Sequence, residues 1–201
     1  MVWYENNIPD WPMHIIDSIT DNAEYTIVVD INGDSAIDVI TAGSLGGGDV
    51  VWYENKNPGW DEHTIDPGAN GTAVMVITDI DGDSLLDLAC TLVEQDQIVW
   101  YKNENYGQSW SKMIIDSVPD IPWGIGSGDI NSDGLTDLVV TTGSPYLSGG
   151  DRTLLLYTNT SESWEKTIID SSMFCGIADI MDVNGDGNMD IFTTAWPNEI
   201  R

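Results

Sequence analysis

Asp30-Ile31-Asn32-Gly33-Asp34-Ser35-Ala36-Ile37-Asp38 sets an oxygen-bearing side chain at positions 1, 3, 5 and 9 of a nine-residue run. The run returns as Asp79-Ile80-Asp81-Gly82-Asp83-Ser84-Leu85-Leu86-Asp87 and as Asp129-Ile130-Asn131-Ser132-Asp133-Gly134-Leu135-Thr136-Asp137. A fourth copy reads Asp182-Val183-Asn184-Gly185-Asp186-Gly187-Asn188-Met189-Asp190. The starts lie 49, 50 and 53 residues apart. A fixed period of that size marks an array of stacked supersecondary units, none of which can bury its apolar faces alone.

Two further signatures keep the same phase. Trp3-Tyr4-Glu5-Asn6 returns as Trp52-Tyr53-Glu54-Asn55, as Trp100-Tyr101-Lys102-Asn103 and, degraded, as Leu156-Tyr157-Thr158-Asn159. Each is followed by a tryptophan and an Ile-Asp pair: Trp11 with Ile16-Asp17, Trp60 with Ile65-Asp66, Trp110 with Ile115-Asp116, and Trp164 with Ile169-Asp170. Around the first loop the β-rich runs Tyr25 to Val29, Ile37 to Thr41, Val50 to Tyr53 and His63 to Ile65 predict four short strands, separated by Gly, Asn, Asp and Pro. No stretch holds a helical period over three turns. The pattern predicts an all-β chain, a single β-propeller domain over residues 1–201, built of four-stranded antiparallel blades in four repeats. The recurrent Trp and Tyr are suited to filling the space between neighbouring sheets.

The chain starts inside a third strand and finishes after a second one, so the first and last segments are expected to pair and complete one shared blade. A four-bladed ring closing on itself is the first expectation. A homodimer completing an eight-bladed ring, or membership of a larger propeller, are the alternatives.

The acidic loops carry the chemistry. Carboxylates crowded three or four to nine residues repel one another unless a cation lies among them. Oxygen donors without His or Cys suit calcium or magnesium, and a mixed set in a flexible loop favours calcium. The expected ligands are Asp30, Asn32, Asp34 and Asp38; Asp79, Asp81, Asp83 and Asp87; Asp129, Asn131, Asp133 and Asp137; and Asp182, Asn184, Asp186 and Asp190. The backbone carbonyls of Ala36, Leu85, Leu135 and Asn188 at position 7 complete each set, giving about four calcium ions, one per repeat. An EF-hand is excluded, because the twelfth positions are Thr41, Cys90, Val140 and Thr193, not the bidentate Glu, and the flanks read as strands. Ser35 and Ser84 stand where Gly134 and Gly187 ease the turn in the later loops, so the first two loops are expected to be the more strained.

Thirty-four acidic residues against 6 Lys and Arg leave a net charge of −28, a field that repels nucleic acid and anionic membrane surfaces. Thirteen of the acids lie in the four loops. No apolar run reaches the ~20 residues that span a bilayer. Cys90 and Cys175 fall at unlike places in their repeats and are read as buried free thiols. No nucleophile elbow, Cys–His pairing or phosphate-cradling glycine motif occurs. His14 and His63 share one repeat position with Met113 and Thr167, a substitution pattern of packing. The chain is therefore expected to be no enzyme.

The D-x-[DN]-x-D-x-x-x-D loops, together with the WYEN and W-x-x-H-x-I-D runs, resemble the FG-GAP/VCBS repeats of integrin-α-like calcium-binding propellers over essentially the whole chain. The resemblance implies a secreted or cell-surface protein whose blades each hold a calcium between their first two strands. It implies an adhesion or recognition scaffold, lectin-like or protein-binding, with a glycan or a surface protein as partner. An accessory domain of a secreted polysaccharide-degrading enzyme is the alternative. Residues that break the repeat are the candidate ligand contacts: Trp123 and Phe174 before the first strands of their blades, Trp196, and Tyr146 in an insertion.

Overall fold

The computed structural model describes residues 1–18, 23–43, 48–143, 151–172 and 175–195. Phe174, Trp196 and Tyr146 lie outside the described residues. The strands in chain order are β1 (Val2–Tyr4), β2 (Met13–Ile15), β3 (Ala23–Val29), β4 (Asp38–Gly43), β5 (Val50–Asn55) and β6 (Trp60–Asp66). They continue as β7 (Thr72–Thr78), β8 (Asp87–Leu92), β9 (Gln97–Glu104), β10 (Ser109–Ser117), β11 (Pro122–Gly128) and β12 (Asp137–Thr142). The last are β13 (Leu154–Asn159), β14 (Trp164–Asp170), β15 (Cys175–Met181) and β16 (Asp190–Ala195). Among the described residues the helical content is one 3-10 turn, Val93–Gln95.

Consecutive strands pair antiparallel into three four-stranded sheets, β3-β4-β5-β6, β7-β8-β9-β10 and β11-β12-β13-β14, flanked by the two-stranded sheets β1-β2 and β15-β16. These are propeller-like blades, all-β and antiparallel as the sequence predicts. Among the described residues β16 and β1 belong to separate sheets, and the sheets do not close into a ring. Each blade also carries a register shift between its first two strands, at Ala23/Tyr25, Thr72/Met75 and Pro122/Ile125. A bulge repeated at one place bends and twists each sheet alike.

The alternation of a half-buried strand is absent from β4, β8 and β12, whose residues are buried throughout. These strands lie between neighbouring blades and must bury both faces. The outer strands β6, β10 and β14 hold only exposed and half-buried positions and carry Asp61, Glu62, Lys112, Glu165 and Lys166, charges that discourage pairing with another chain.

The core lies between blades. Ile40 and Trp52 of the first blade pack with Met75, Leu88 and Tyr101 of the second. Ala89 and Ile98 of the second meet Ile125, Leu138 and Tyr157 of the third, and Val139 and Leu154 of the third meet Ala178 and Ile180 of β15. Glycine is required at the last of these joints. A Cβ on Gly124 or Gly126 would lie 2.3 Å from the Gly176 or Ala178 carbonyl oxygen, so only a bare backbone lets β15 come this close to β11.

Polar links stitch the same joints. The Tyr53, Tyr101 and Tyr157 hydroxyls donate to Asp17, Asp66 and Asp116 of the preceding sheet at 2.9, 2.7 and 2.8 Å. Lys112 and Lys166 add ion pairs to Asp66 and Asp116 at 2.7 and 2.8 Å. The Asn103 and Asn159 amides reach back to the Ile31 and Ile80 carbonyls of the preceding acidic loop at 3.3 and 2.9 Å. The Ile-Asp and WYEN signatures thus describe one device: an aspartate at the end of one sheet receives the tyrosine of the next.

Candidate metal loops

Each acidic run connects the first two strands of its repeat, and its backbone is wound by its own side chains. In the first loop Asp30 accepts the N–H groups of Gly33, Asp34 and Ser35 at 2.8, 3.1 and 2.9 Å. Asn32 Oδ1 accepts Asp34 N–H at 3.0 Å, and Asp34 Oδ1 accepts Ala36 N–H at 2.8 Å. The later loops repeat the winding around Asp79, Asp129 and Asp182. Such Asx turns gather the oxygens of positions 1, 3 and 5 inside one curve of chain.

The ninth-position aspartates lock the loops to the sheet. Asp38, Asp87 and Asp137 are each 0% exposed. Their Oδ2 atoms accept Ile31, Ile80 and Ile130 N–H at 3.2, 3.2 and 2.9 Å, and their Oδ1 atoms accept Asn55, Asn103 and Asn159 N–H of the third strand at 2.9, 2.7 and 2.8 Å. Burial raises the pKa of all three against the pull of these N–H donors, and neighbouring loop carboxylates raise it further; Asp87 reaches about 6. A carboxylate buried beside others of its kind gains by holding a proton or a cation.

The donor set is thus oxygen alone, preorganised on a fixed backbone, and it suits a hard divalent cation. In the second loop one carboxylate oxygen from each of Asp79, Asp81 and Asp87 lies within 4.8 Å of the others. The first and second loops differ in what leans over them. Glu54, 6% exposed, accepts a hydrogen bond from the Asn32 amide at 3.0 Å and also meets Lys56 and His63. Lys102, at the equivalent place on β9, puts its ammonium on Asp81 and 3.0 Å from Asp83. The sequence contains this exchange in WYEN against WYKN, yet the strand assignment alone did not reveal that the third residue reaches the neighbouring loop.

Positive φ falls at position 4 as well as position 6 of each loop: Gly33, Gly82, Ser132 and Gly185 at 74°, 78°, 60° and 79°, then Ser35, Ser84, Gly134 and Gly187 at 72°, 71°, 88° and 89°. The expectation of strain in the first two loops is therefore too narrow. The third loop has the same disadvantage at Ser132, and the fourth alone has glycine at both places.

His14, His63, Trp123 and Cys90 lie outside the acidic loops. His14 and His63 stack on Trp3 and Trp52 with ring centroids 4.3 and 4.4 Å apart, and each meets a glutamate at 3.0 Å. Trp123 lies inside β11, not before it. It is half-buried, and its carbonyl accepts the Thr91 hydroxyl of the second blade at 2.7 Å. Cys90 is a buried free thiol whose pKa is raised by burial.

Among curated proteins none matches the sequence. The FG-GAP-like repeat profile matches twice, over residues 30–90 and 79–140, and each match opens on the first aspartate of an acidic loop and extends past the next one. Those segments cover more than half of the chain, and with the repeated blades and loops on which they fall they establish that this chain belongs to the FG-GAP-like repeat family.

Proposed function

We propose that the chain is a non-enzymatic, calcium-binding propeller scaffold that works outside the cell in adhesion or recognition. The observation that carries the reading is the repetition of one loop geometry with oxygen donors only, closed by an aspartate with a raised pKa in the three complete blades. Positions 1, 3, 5 and 9 with the position-7 carbonyl would hold the ion. A bound calcium neutralises the crowded carboxylates and ties the first strand of a blade to the second. Binding to the folded loops alone stabilises the fold by mass action. Extracellular modules bind calcium with Kd of about 10⁻⁴–10⁻³ M, which the medium outside a cell keeps filled. With four ions clipping the blades, the chain presents a rigid acidic platform on which exposed residues recognise a glycan or surface protein.

Thermal unfolding of one preparation, in excess chelator and in millimolar calcium, tests the metal reading. The expected result is a melting temperature higher in calcium by roughly ten degrees, the scale of 2–3 kcal/mol of linkage for a domain of this size. An identical melting temperature in both buffers would remove calcium from the account. A glycan array probed with the calcium-loaded chain tests recognition. Binding lost in Trp123→Ala supports a role for that residue, and an array without signal counts against a lectin-like function.

A further inference from the structure

In the second and third blades a single asparagine serves two acidic loops at once. Asn103, which ends the Trp-Tyr-Lys-Asn run on β9, is buried. Its backbone N–H donates to Asp87 Oδ1 in the second loop at 2.7 Å, and its side-chain amide donates to the Leu86 carbonyl at 3.0 Å. The same amide crosses the blade joint to the Ile31 carbonyl of the first loop at 3.3 Å. Asn159 repeats the arrangement one blade on. Its N–H donates to Asp137 in the third loop at 2.8 Å, and its amide reaches Thr136 of that loop and Ile80 of the second at 3.3 and 2.9 Å.

The isoleucines at loop position 2 close the path. Ile31 gives its N–H to Asp38 and receives Asn103 on its carbonyl, and Ile80 gives its N–H to Asp87 and receives Asn159. From Asp38 an unbroken line of hydrogen bonds therefore runs through Ile31 and Asn103 to Asp87, then through Ile80 and Asn159 to Asp137. No link is longer than 3.3 Å, and every residue on the line is buried. Two further contacts brace the joints. The Thr136 hydroxyl donates to the Asp79 carbonyl at 2.8 Å. Tyr106, held at φ 57° in a hairpin whose Gly107 N–H donates to Asn103 Oδ1 at 2.6 Å, lies against the first loop, its ring 3.7 Å from where a Cβ on Gly33 would be.

We infer that Asn103 and Asn159 are positioning residues that couple the first three acidic loops in series, so that fixing Asp87 in the second loop also steadies the first and the third. Each loop has a wound state and an opened one. In a buried network a broken link leaves its donor or acceptor with no water to replace the partner. When the second loop opens, Asp87 leaves the Asn103 N–H and Ile80 leaves the Asn159 amide, so both asparagines lose part of what holds them on the neighbouring loops. Opening the first or the third loop then breaks fewer intact links. The consequence for calcium rests on the reading proposed above. An ion that holds Asp87 orders Ile80 and Asn103 in advance, and ions entering the first and third loops find part of their ordering already done. The three loops therefore fill cooperatively, each raising its neighbour's affinity about tenfold, a usual size for coupled sites.

Amide hydrogen exchange in chelator reads the coupling without calcium. Asp87→Asn keeps one acceptor oxygen and loosens the second loop. It is expected to speed exchange of the Ile31 N–H in the first loop and the Ile130 N–H in the third on the order of tenfold, beyond any change in the ladder amides of β5 and β13. Adding Asn103→Ser is expected to abolish the effect on Ile31 and keep that on Ile130, and adding Asn159→Ser to do the reverse. General loss of stability would not produce that selectivity. Should Asp87→Asn not fold, Asn103→Ser alone reads the first link, with faster exchange expected at Ile31 than at Ile130. Calcium titrated into the wild-type chain is expected to fill the loops more steeply than independent sites, and into the Asn103→Ser, Asn159→Ser chain to fill them independently. Unchanged exchange at Ile31 and Ile130, an acceleration that both serine variants leave in place, or equally shallow filling in both chains would each overturn the coupling. Coupled exchange in a chain that takes up no calcium would support the relay and remove the calcium reading alone.

Discussion

The first and second acidic loops share a backbone to within a few degrees at their left-handed residues, yet opposite charges cover them. Ser35 and Ser84 have φ of 72° and 71°, and Asp38 and Asp87 are equally buried and hydrogen-bonded alike. Above the first stands Glu54, a carboxylate held low in pKa chiefly by its hydrogen bond from Lys56. Above the second stands Lys102, whose ammonium is raised in pKa by its hydrogen bonds to Asp81 and Asp83. Loop geometry and loop electrostatics are therefore specified by different parts of the repeat. The nonapeptide sets the first, and one strand residue from the WYEN run sets the second. A loop that contains its own cation has less to gain from calcium.

The largest effects test what the two loops share. Asp38→Ala and Asp87→Ala each strip a buried carboxylate from two backbone N–H donors and leave those donors unsatisfied. Each is expected to cost about 3 kcal/mol in chelator, read from denaturant unfolding. A clear difference between the two would show that the common backbone does not anchor both loops equally.

The exchange of covering charges sharpens the contrast. Lys102→Glu is expected to raise calcium affinity at the second loop on the order of tenfold, and Glu54→Lys to lower it at the first by a similar factor, about 1.4 kcal/mol each. Calorimetric titration of both variants beside the wild type resolves the change. Equal affinities across the set would mean that the ammonium and the carboxylate swing away at no cost when the ion arrives.

The tyrosine links give a smaller effect with a pH signature. Burial pushes the Asp66 pKa up, but hydrogen bonds from Lys112, Tyr101 and Gly68 outweigh it and hold the group below its ordinary 3.8. A depressed carboxylate stabilises the fold above pH 3.8 and loses that contribution as pH falls through its folded value. Tyr101→Phe is expected to cost about 1.5 kcal/mol at pH 7. The cost is expected to shrink in acid, where the wild type loses the charged acceptor as well. A cost that does not change with pH would assign the loss to packing of the ring.

What the sequence reveals follows from which forces are local. Strand positions around Val50 to Tyr53 were legible because β-branched and aromatic runs end at Asn and Pro, and the fourfold repetition confirms each assignment three more times. The loops were legible because Asx turns are wound by their own residues. The partners of Tyr53, Tyr101 and Tyr157 were not, since the Ile-Asp aspartates lie 35 to 41 residues upstream and only stacking brings them close. Lys102 was missed for the same reason. The placement of Trp123 before its strand was not legible correctly, because β11 extends further toward it than the β-propensity of Pro122-Trp123-Gly124 signals.

The smallest effects lie in the left-handed positions, where the loops diverge by one atom group each. An L-residue at positive φ brings its Cβ toward its own carbonyl, and glycine removes that crowding while giving up entropy in the unfolded chain. Because Ser35, Ser84 and Ser132 have φ of 72°, 71° and 60°, Ser→Gly at each is expected to stabilise by about 0.5–1 kcal/mol. Gly187→Ser in the fourth loop, at φ 89°, is expected to cost the same or slightly more. Melting temperatures of the four variants in chelator measure this without interference from calcium. Stabilisation at Ser35 and Ser84 but not at Ser132 would mean that position 6 alone is strained and that the fourth-position serine is relieved by the loop around it. An equal gain at all three would make loop four, with glycine at both places, the least strained of the set.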